Sequence, residues 1–431
     1  MTGVGSGRHR RGLIKLTLQI TEPWAVGGVS SYDFNKAAKR EDEPTIYLPI
    51  LKDPRDGSAH IPAASLVGSL YRHLSDPGRW LGSDKEPSAV RALGTQTGGA
   101  AVVTRTATTI DGARRAAKAK ELRTEELVEA STTVYWWLQL ERDLDVDEID
   151  VLAGELWFWR PVIGRRRSVG RGRAEVTSVE RGTVDLRDPV GLTWWLQHRH
   201  GFLTGSAHAP KPKDWDRAKP SSTMSSGDAP WKRSWLFEVV DPLHIGADRA
   251  PGDKPNHHST GEFMPGSSWR GIFRHRIAHI QRMRGATESD VEATRDRLFG
   301  SGRKKGASAL GGHRGLLSFF DSPIDRGGRP SLTFTHVAID RVTGGARQFS
   351  EVLDDRGKGA LFTVSAIPPG ARLTLDVKSE TELSPADAEL LDAVVADIDD
   401  GLIGIGAMTT RGYGTLDLAG EQSCAPTAYG H

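Results

Sequence analysis

Six arginines fall within residues 160–173: Arg160, Arg165, Arg166, Arg167, Arg171 and Arg173. Gly164, Gly170 and Gly172 lie among them. Successive glycines let backbone N–H groups converge on one concavity, and arginine offers a planar fork for phosphate oxygens. A second glycine run, Gly404, Gly406, Gly412 and Gly414, encloses Thr410 and Arg411. Taken as a pair, the two runs point to a polyanion such as nucleic acid. A solvated turn, or one whose charges are met by acids elsewhere, is the competing reading.

Two further stretches carry the same chemistry. Met264-Pro265-Gly266-Ser267-Ser268-Trp269-Arg270 reads as a loop feeding a helix, with serine as the N-cap. Arg270, Arg274, His275 and Arg276 follow on its first turns. Ile61-Pro62-Ala63-Ala64-Ser65 repeats the pattern, followed by Ser69, Arg72 and His73. Capping alone explains the serines. It does not explain basic residues near the positive end of a helix dipole, which favours an anionic ligand. Ile339-Asp340-Arg341-Val342-Thr343-Gly344-Gly345-Ala346 follows a strand-like alternation; a hairpin with a structural Asp–Arg pair is the plainer alternative.

These residues must be held by elements that occur twice. Leu13 to Ile20 alternates like a strand and runs into an acid-Pro turn and a glycine. Trp235 to Gly246 does the same 219 positions later. The Pro-led helix start recurs, and Gly164 to Arg173 matches Gly404 to Gly414, 240 positions apart. Three elements in the same order twice indicate duplication. The expected division is a first domain over 1–203, a linker over 204–232 rich in Pro, Ser, Gly and Lys, and a second domain over 233–431. Each is expected to be α+β, a sheet with helices on one face.

Composition bounds the rest. The 431 residues carry a formal charge of +2, so any basic surface is local. The single cysteine, Cys424, excludes a disulfide framework and a cysteine-based zinc site and fits a cytoplasmic location. No apolar run reaches membrane-spanning length, and the N-terminal stretch lacks the apolar segment of a secretory signal, so no membrane partner is expected. No Gly-x-x-x-x-Gly-Lys-Ser/Thr element is present, which counts against a P-loop enzyme. The aromatic runs Tyr135-Trp136-Trp137, Trp157-Phe158-Trp159 and Trp194-Trp195 are expected in cores or interfaces, leaving no obvious base-stacking platform.

Together, Pro265-Gly266-Ser267-Ser268, Ile339 to Ala346, Gly404 to Gly414 and Leu243-His244-Ile245-Gly246 resemble the RAMP superfamily of CRISPR-associated proteins. The likeness is specifically to the backbone subunits of type III effector complexes. Ile61 to Ser65 and Pro49 to Pro54 fit less closely in the first copy. The resemblance implies two tandem ferredoxin-like, RNA-recognition-like domains with inserted thumb hairpins. It implies a subunit that holds CRISPR guide RNA by its backbone, kinks the duplex with target RNA, and assembles with other type III effector subunits. Base pairing would read sequence while the protein reads shape. RNA-binding residues carried over are Ser65, Arg72, Arg165, Arg166, Arg167 and Arg171 in the first copy. In the second they are Ser267, Ser268, Arg270, Arg274, Arg341, Thr343, Thr410 and Arg411.

In catalytic members of that family a loop aspartate before a residue–Pro pair cuts target RNA with a divalent metal, Mg2+ or Mn2+. Asp253-Lys254-Pro255 fits the pattern; Asp248 fits the usual distance but lacks the proline. Asp253 is thus the implied catalytic and metal-binding residue. In the first copy Tyr47 is expected where the aspartate would stand, unless Asp33 or Asp42 of its longer loop substitutes. RNA brings its own nucleophile, so alignment, a carboxylate base and nearby Lys254 or His257-His258 are adequate equipment. A non-catalytic RNA-holding scaffold and a guide-processing endoribonuclease are the alternatives. The latter needs an early histidine; apart from His9 in the N-terminal tail, His60 and His73 are the candidates.

Overall fold

The computed structural model describes residues 9–27, 46–83, 87–107, 110–111, 116–117, 123–140, 146–205, 210–221, 231–246, 257–301, 312–337, 339, 341–342, 344–345 and 361–422. The chain divides into two compact units, Met1–Arg167 with Arg171–Gly227, and Ser168–Gly170 with Asp228–His431.

In the first unit, alternation along β1 (Arg10–Ile20) puts Ile14, Leu16, Leu18 and Ile20 on one face, all fully buried. The chain continues through β2 (Ile46–Leu48), α1 (Ala63–Leu70), β3 (Val90–Thr97) and β4 (Val102–Ala107). Then come β5 (Arg123–Val128), β6 (Thr132–Leu140), α2 (Val146–Leu156), β7 (Ala174–Asp185), α3 (Pro189–Gln197) and β8 (Asp216–Arg217). An antiparallel sheet runs in the order β8–β7–β1–β6–β3. Leu66 and Leu70 of α1 and Ile149, Leu152, Ala153 and Leu156 of α2 pack on the buried face of β1. The opposite face is not bare as expected. Leu13, Trp137 and Val184 there pack with Trp194 of α3 and Phe202.

The stretch 204–232 is only partly a linker. Its β8 extends the sheet, Trp215 joins the Trp137 cluster, and the Ala218 carbonyl accepts a hydrogen bond from the Trp157 indole at 2.9 Å. A proline- and glycine-rich composition marks the absence of a period, but two residues suffice to pair at a sheet edge.

The second unit repeats the plan. Its elements are β9 (Trp231–Val239), β10 (His257–His258), β11 (Phe263–Met264), α4 (Gly266–Met283) and α5 (Glu288–Phe299). They continue with β12 (Leu317–Phe319), β13 (Ser322–Asp325), β14 (Leu332–Val337), β15 (Leu361–Ala366), β16 (Arg372–Ser379), α6 (Pro385–Asp399) and β17 (Leu416–Gln422). The main sheet has the order β11–β13–β16–β9–β17, with β12 also on β16. Trp235, Phe237 and Val239 of β9 pack against Trp269, Phe273 and Ile277 of α4 and Leu391, Val394 and Ile398 of α6.

Correspondence extends to irregularities. β1 lies between β6 and β7 as β9 lies between β16 and β17. The ladder to the C-terminal partner slips between Thr17 and Leu18 in one unit and between Leu236 and Phe237 in the other, the same positions 219 residues apart. Each unit also carries a small three-stranded sheet with one parallel and one antiparallel pair, β2–β5–β4 and β10–β15–β14. Both units are α+β with the ferredoxin-like arrangement of a sheet backed by two helices.

The helix starts correct one expectation. The N-caps of α1 and α4 are Pro62 and Pro265, extended at ψ 139° and 136°, so neither N-cap residue caps with its side chain; at α4 the Gly266 N–H instead donates to Asp321 Oδ1 at 2.8 Å. Proline sets the entry angle, so the serines behind it are left for other uses.

Trp269 is fully buried, and its Nε1 donates to Ser322 Oγ at 2.9 Å. Trp269→Ala is expected to cost about 3–5 kcal/mol, read as a lower urea midpoint by circular dichroism. Gly271→Ala lies in the same helix, where an added Cβ meets nothing within 4 Å. It should raise the midpoint by about 0.5–1 kcal/mol.

Candidate nucleic-acid interface

The two glycine loops superimpose bond for bond. The Gly172 N–H donates to Pro23 O at 3.0 Å, and the Ile163 N–H to Gly172 O at 2.7 Å. In the second unit Gly414 donates to Pro242 O at 3.0 Å, and Ile405 to Gly414 O at 2.8 Å. Arg165 N–H donates to Ala25 O at 2.9 Å, as Ala407 N–H does to His244 O at 2.8 Å. A Cβ on Gly172 would lie 1.9 Å from Ile163 O, and one on Gly414 1.9 Å from Ile405 O. Arg166 and Met408 share a left-handed backbone, at φ 59° and 62°. These pairs set the loops 242 positions apart rather than 240, because Gly164 corresponds to Gly406 and not to Gly404.

The register of the small sheets changes a second correspondence. Tyr47 is opposite Thr124 in β5, and His257 is opposite Thr363 in β15. The bridges Trp24–Val128 and Leu243–Ile367 equate those two threonines. Tyr47 is therefore the counterpart of His257, not of Asp253. Tyr47 donates its hydroxyl to Glu126 Oε1 at 2.7 Å, where His257 Nε2 lies 2.7 Å from Ser365 Oγ. Burial and that carboxylate push the Tyr47 phenol up to about 12.

In the first unit most of the arginine run turns inward. Arg171 Nη1 donates to Glu125 Oε1 at 2.7 Å, and Arg166 Nε lies 2.8 Å from Glu125 Oε2. Arg165 donates to Leu48 O at 2.6 Å and Glu126 O at 3.1 Å, tying β2 and β5 to the loop. Arg167 Nε returns to Gly164 O at 3.0 Å. Glu125 is 1% exposed. Burial alone would raise its carboxyl, but Arg171 and Arg166 more than offset this and hold it below the usual carboxylate range. Burial pushes the Arg166 guanidinium down to about 10, against the pull of Glu125, so it stays charged at neutral pH. Four of the expected RNA contacts thus build the loop itself, and Glu125 is the acid that sequence reasoning missed.

The second loop is built of different chemistry. Val364, Ala366 and Tyr413 are buried together, with Phe334, Phe362 and Met408 packed on them. His336 Nε2 lies 2.8 Å from Tyr413 Oη, and the His336 ring stacks on Phe362 at 5.3 Å. His258 meets the Phe362 ring edge-on at 5.8 Å, and the Arg411 guanidinium lies over it at 5.4 Å. Buried His244 donates Nδ1–H to Ser365 O at 2.8 Å. Burial lowers its imidazole and nearby His258 lowers it further, against the hydrogen bond to Ser365. This aromatic platform was not evident in the sequence, whereas Trp136, Trp159 and Trp194 lie in the cores as expected.

The start of α1 presents half-buried Ser65 and that of α4 half-buried Ser267 and exposed Ser268, whereas Arg72 is exposed just beyond the C-terminal end of α1 and not, as expected, near its start; these side chains hold no hydrogen-bond partner among the described residues. Arg270 donates Nη2 to Phe299 O. The Nε atoms of Arg270, Arg274 and Arg295 are each buried without a hydrogen-bond partner among the described residues. Burial lowers the Arg270 and Arg274 guanidiniums, and each is lowered further by the next, Arg274 by Arg295, while Asp296 acts on Arg274 in the opposite direction. By contrast Arg276, Arg282, Arg284 and Arg297 each face a carboxylate. Arg295, brought in by α5, completes an under-neutralised patch that spacing along α4 alone did not reveal. Arg341, Thr410 and Arg411 are exposed. Thr343 and the aspartates Asp33, Asp42, Asp248 and Asp253 lie outside the described residues. Among the described residues no group of three or more His, Cys, Asp or Glu could hold a metal ion. His73 Nε2–H donates to Glu155 O at 2.9 Å, and His60 Nδ1 lies 3.9 Å from Asp53 Oδ2.

Glu125→Gln strands two buried guanidiniums and is expected to destabilise the first unit by about 3 kcal/mol at neutral pH. Because the folded carboxyl titrates below its unfolded value, its stabilisation is complete above about pH 4.3 and fades as pH falls further. Urea midpoints measured across that range should show the wild type losing this component and the variant lacking it from the outset.

Residues 236–417 match the family model of the RAMP superfamily. The second unit belongs to that superfamily, whose members are CRISPR-associated and bind RNA. No curated protein matches the chain at a significant level. No helix among the described residues is long and apolar enough to cross a membrane.

Proposed function

We propose that this chain, with its second unit a RAMP-superfamily domain, is a backbone subunit of a type III CRISPR effector complex built from two fused RAMP copies. Each copy holds guide RNA by its phosphates and bends the guide–target duplex. The observation that carries this reading is the recurrence of one framework in both units: bulge, glycine loop, small sheet and Pro-led helix. The family match spans residues 236–417, within the second unit, and the recurrence supports reading the first unit as another copy. The patch of Arg270, Arg274 and Arg295 supports a phosphate contact, because three guanidiniums with orphaned Nε atoms, only partly offset by Asp296 and Glu288, favour an anion.

Cleavage of the bound target belongs to the same proposal. The 2′-oxygen of a splayed nucleotide attacks its own phosphorus and the 5′-oxygen leaves, giving a cyclic phosphate and a free 5′-hydroxyl. Asp253 takes the 2′-hydroxyl proton or holds the divalent ion, Mg2+ or Mn2+, that this family's chemistry implies. Asp42-Glu43-Pro44 precedes β2 as Asp253-Lys254-Pro255 precedes β10, so Asp42 is the matching candidate in the first unit.

The test is affinity purification from native cells, sequencing of the bound RNA, and addition of matched target RNA with magnesium. Repeat-tagged guide RNA and target cut at regular spacing are expected. Asp253→Ala should slow cleavage in its register at least about a hundredfold with guide retention intact. Asp42→Ala should do the same for the first copy. Guide retention with no cutting in the wild type would leave a scaffold. Absence of bound RNA at low salt would overturn the reading.

A further inference from the structure

The face of the small sheet in the second unit differs from its counterpart in one electrostatic respect. In the first unit, Glu125 stands where β15 has Val364, and Arg171 and Arg166 stand where the second loop has Tyr413 and Met408. That face is neutralised from within. In the second unit, His258 and Arg411 are exposed, His336 is half-buried, and all three converge on Phe362. Among the described residues no Asp or Glu is hydrogen-bonded or ion-paired to any of the three. The strand register explains the convergence: His336 of β14 is opposite Phe362, and His258 of β10 is opposite Val364, so both point to the Phe362 side of β15.

We propose that Phe362, His258, His336 and Arg411 form a seat for one nucleotide of the RNA chain that tightens when the imidazoles take up protons. The ring faces stack on the base, Arg411 supplies a permanent cation, and the two histidines supply charge that depends on pH. This deepens the RNA-binding reading and rests on it.

The surrounding groups favour such coupling. Tyr413 faces His336 with its hydroxyl; burial raises that phenol, Arg411 opposes, and it stays neutral near physiological pH. His244 faces His258 from the strand end, and burial together with that neighbour disfavours its charge. His257 points to the other face, toward Ser365 Oγ. Two imidazolium groups and one guanidinium in proximity repel each other in the free protein. A phosphate placed among them removes the repulsion, so RNA binding and proton uptake strengthen each other by the same factor.

The test is fluorescence anisotropy of the full-length chain with an unstructured single-stranded RNA, at about pH 8 and about pH 5.5, over a range of salt. Affinity is expected to rise about tenfold toward acid pH. The slope of log affinity against log salt should steepen by about 1.4, from roughly 0.7 for each imidazolium that meets a phosphate on a single strand. His258→Gln, at an exposed position, should remove about half of both changes. His258→Gln with His336→Gln should remove nearly all, although the chain's other histidines still titrate. RNA bound with equal affinity and salt slope at both pH values would overturn the seat while leaving the RNA reading intact. A double variant that keeps the full pH response would overturn it equally. Failure to bind RNA at either pH would remove both.

Discussion

The interface in each unit depends on a backbone-to-backbone contact that admits no side chain. Gly172 and Gly414 press against the carbonyls of Ile163 and Ile405, where a Cβ would sit at 1.9 Å. The glycines hold φ 70° and 82°, which other residues adopt only under strain. From that contact the loop returns hydrogen bonds to the end of the central strand through Pro23 or Pro242 and Ala25 or His244. The small sheet then bridges to the same strand end at Trp24 or Leu243. Loop, sheet and strand end are therefore one rigid construction, and whatever side chains the loop carries are presented at fixed positions.

On this shared frame the units solve the charge problem in opposite ways. The first fills the interior of the loop with guanidiniums and buries Glu125 to hold them. Such a network has little free charge to offer, since its cations are spent on a carboxylate and on the carbonyls of Leu48 and Glu126. The second fills the same space with Val364, Met408 and Tyr413, which need no counter-ion, and leaves its cations around an aromatic ring. Apolar packing supports the loop at no desolvation cost, whereas buried ion pairs recover their own desolvation only with close geometry. Two units with one backbone framework thus present loops of different free charge.

The Pro-led helices extend the same division of labour. Pro62 and Pro265 fix the entry of α1 and α4, and at α4 Asp321 accepts from the Gly266 N–H, so the first-turn serines are not consumed by the helix. In the second unit α5 lays Arg295 beside Arg274, while the neighbouring arginines are matched by acids of α5 and α6. Arg270, Arg274 and Arg295, only partly offset by Asp296 and Glu288, mark where an external anion would relieve repulsion.

Local pattern alone determined the α+β class, the repeated order of elements, the strand offset of 219 and the place of the two Pro-led helix starts, because alternation, proline and glycine act within a few residues of themselves. It also determined that the large tryptophan runs belong to cores. Tertiary structure alone decided what the charges do. Arg165, Arg166 and Arg171 looked like phosphate ligands in a run of like charge, but Glu125, about forty residues away in sequence, claims two of them across the sheet. The true loop offset of 242 and the pairing of Tyr47 with His257 needed hydrogen-bond partners, since glycine spacing does not say which glycine is left-handed. His258, His336, Phe362 and Arg411 come from four separate segments, and only strand register brings them around one ring. A site assembled from distant segments leaves no local spacing to read, because its geometry is a property of the ladder and not of the chain.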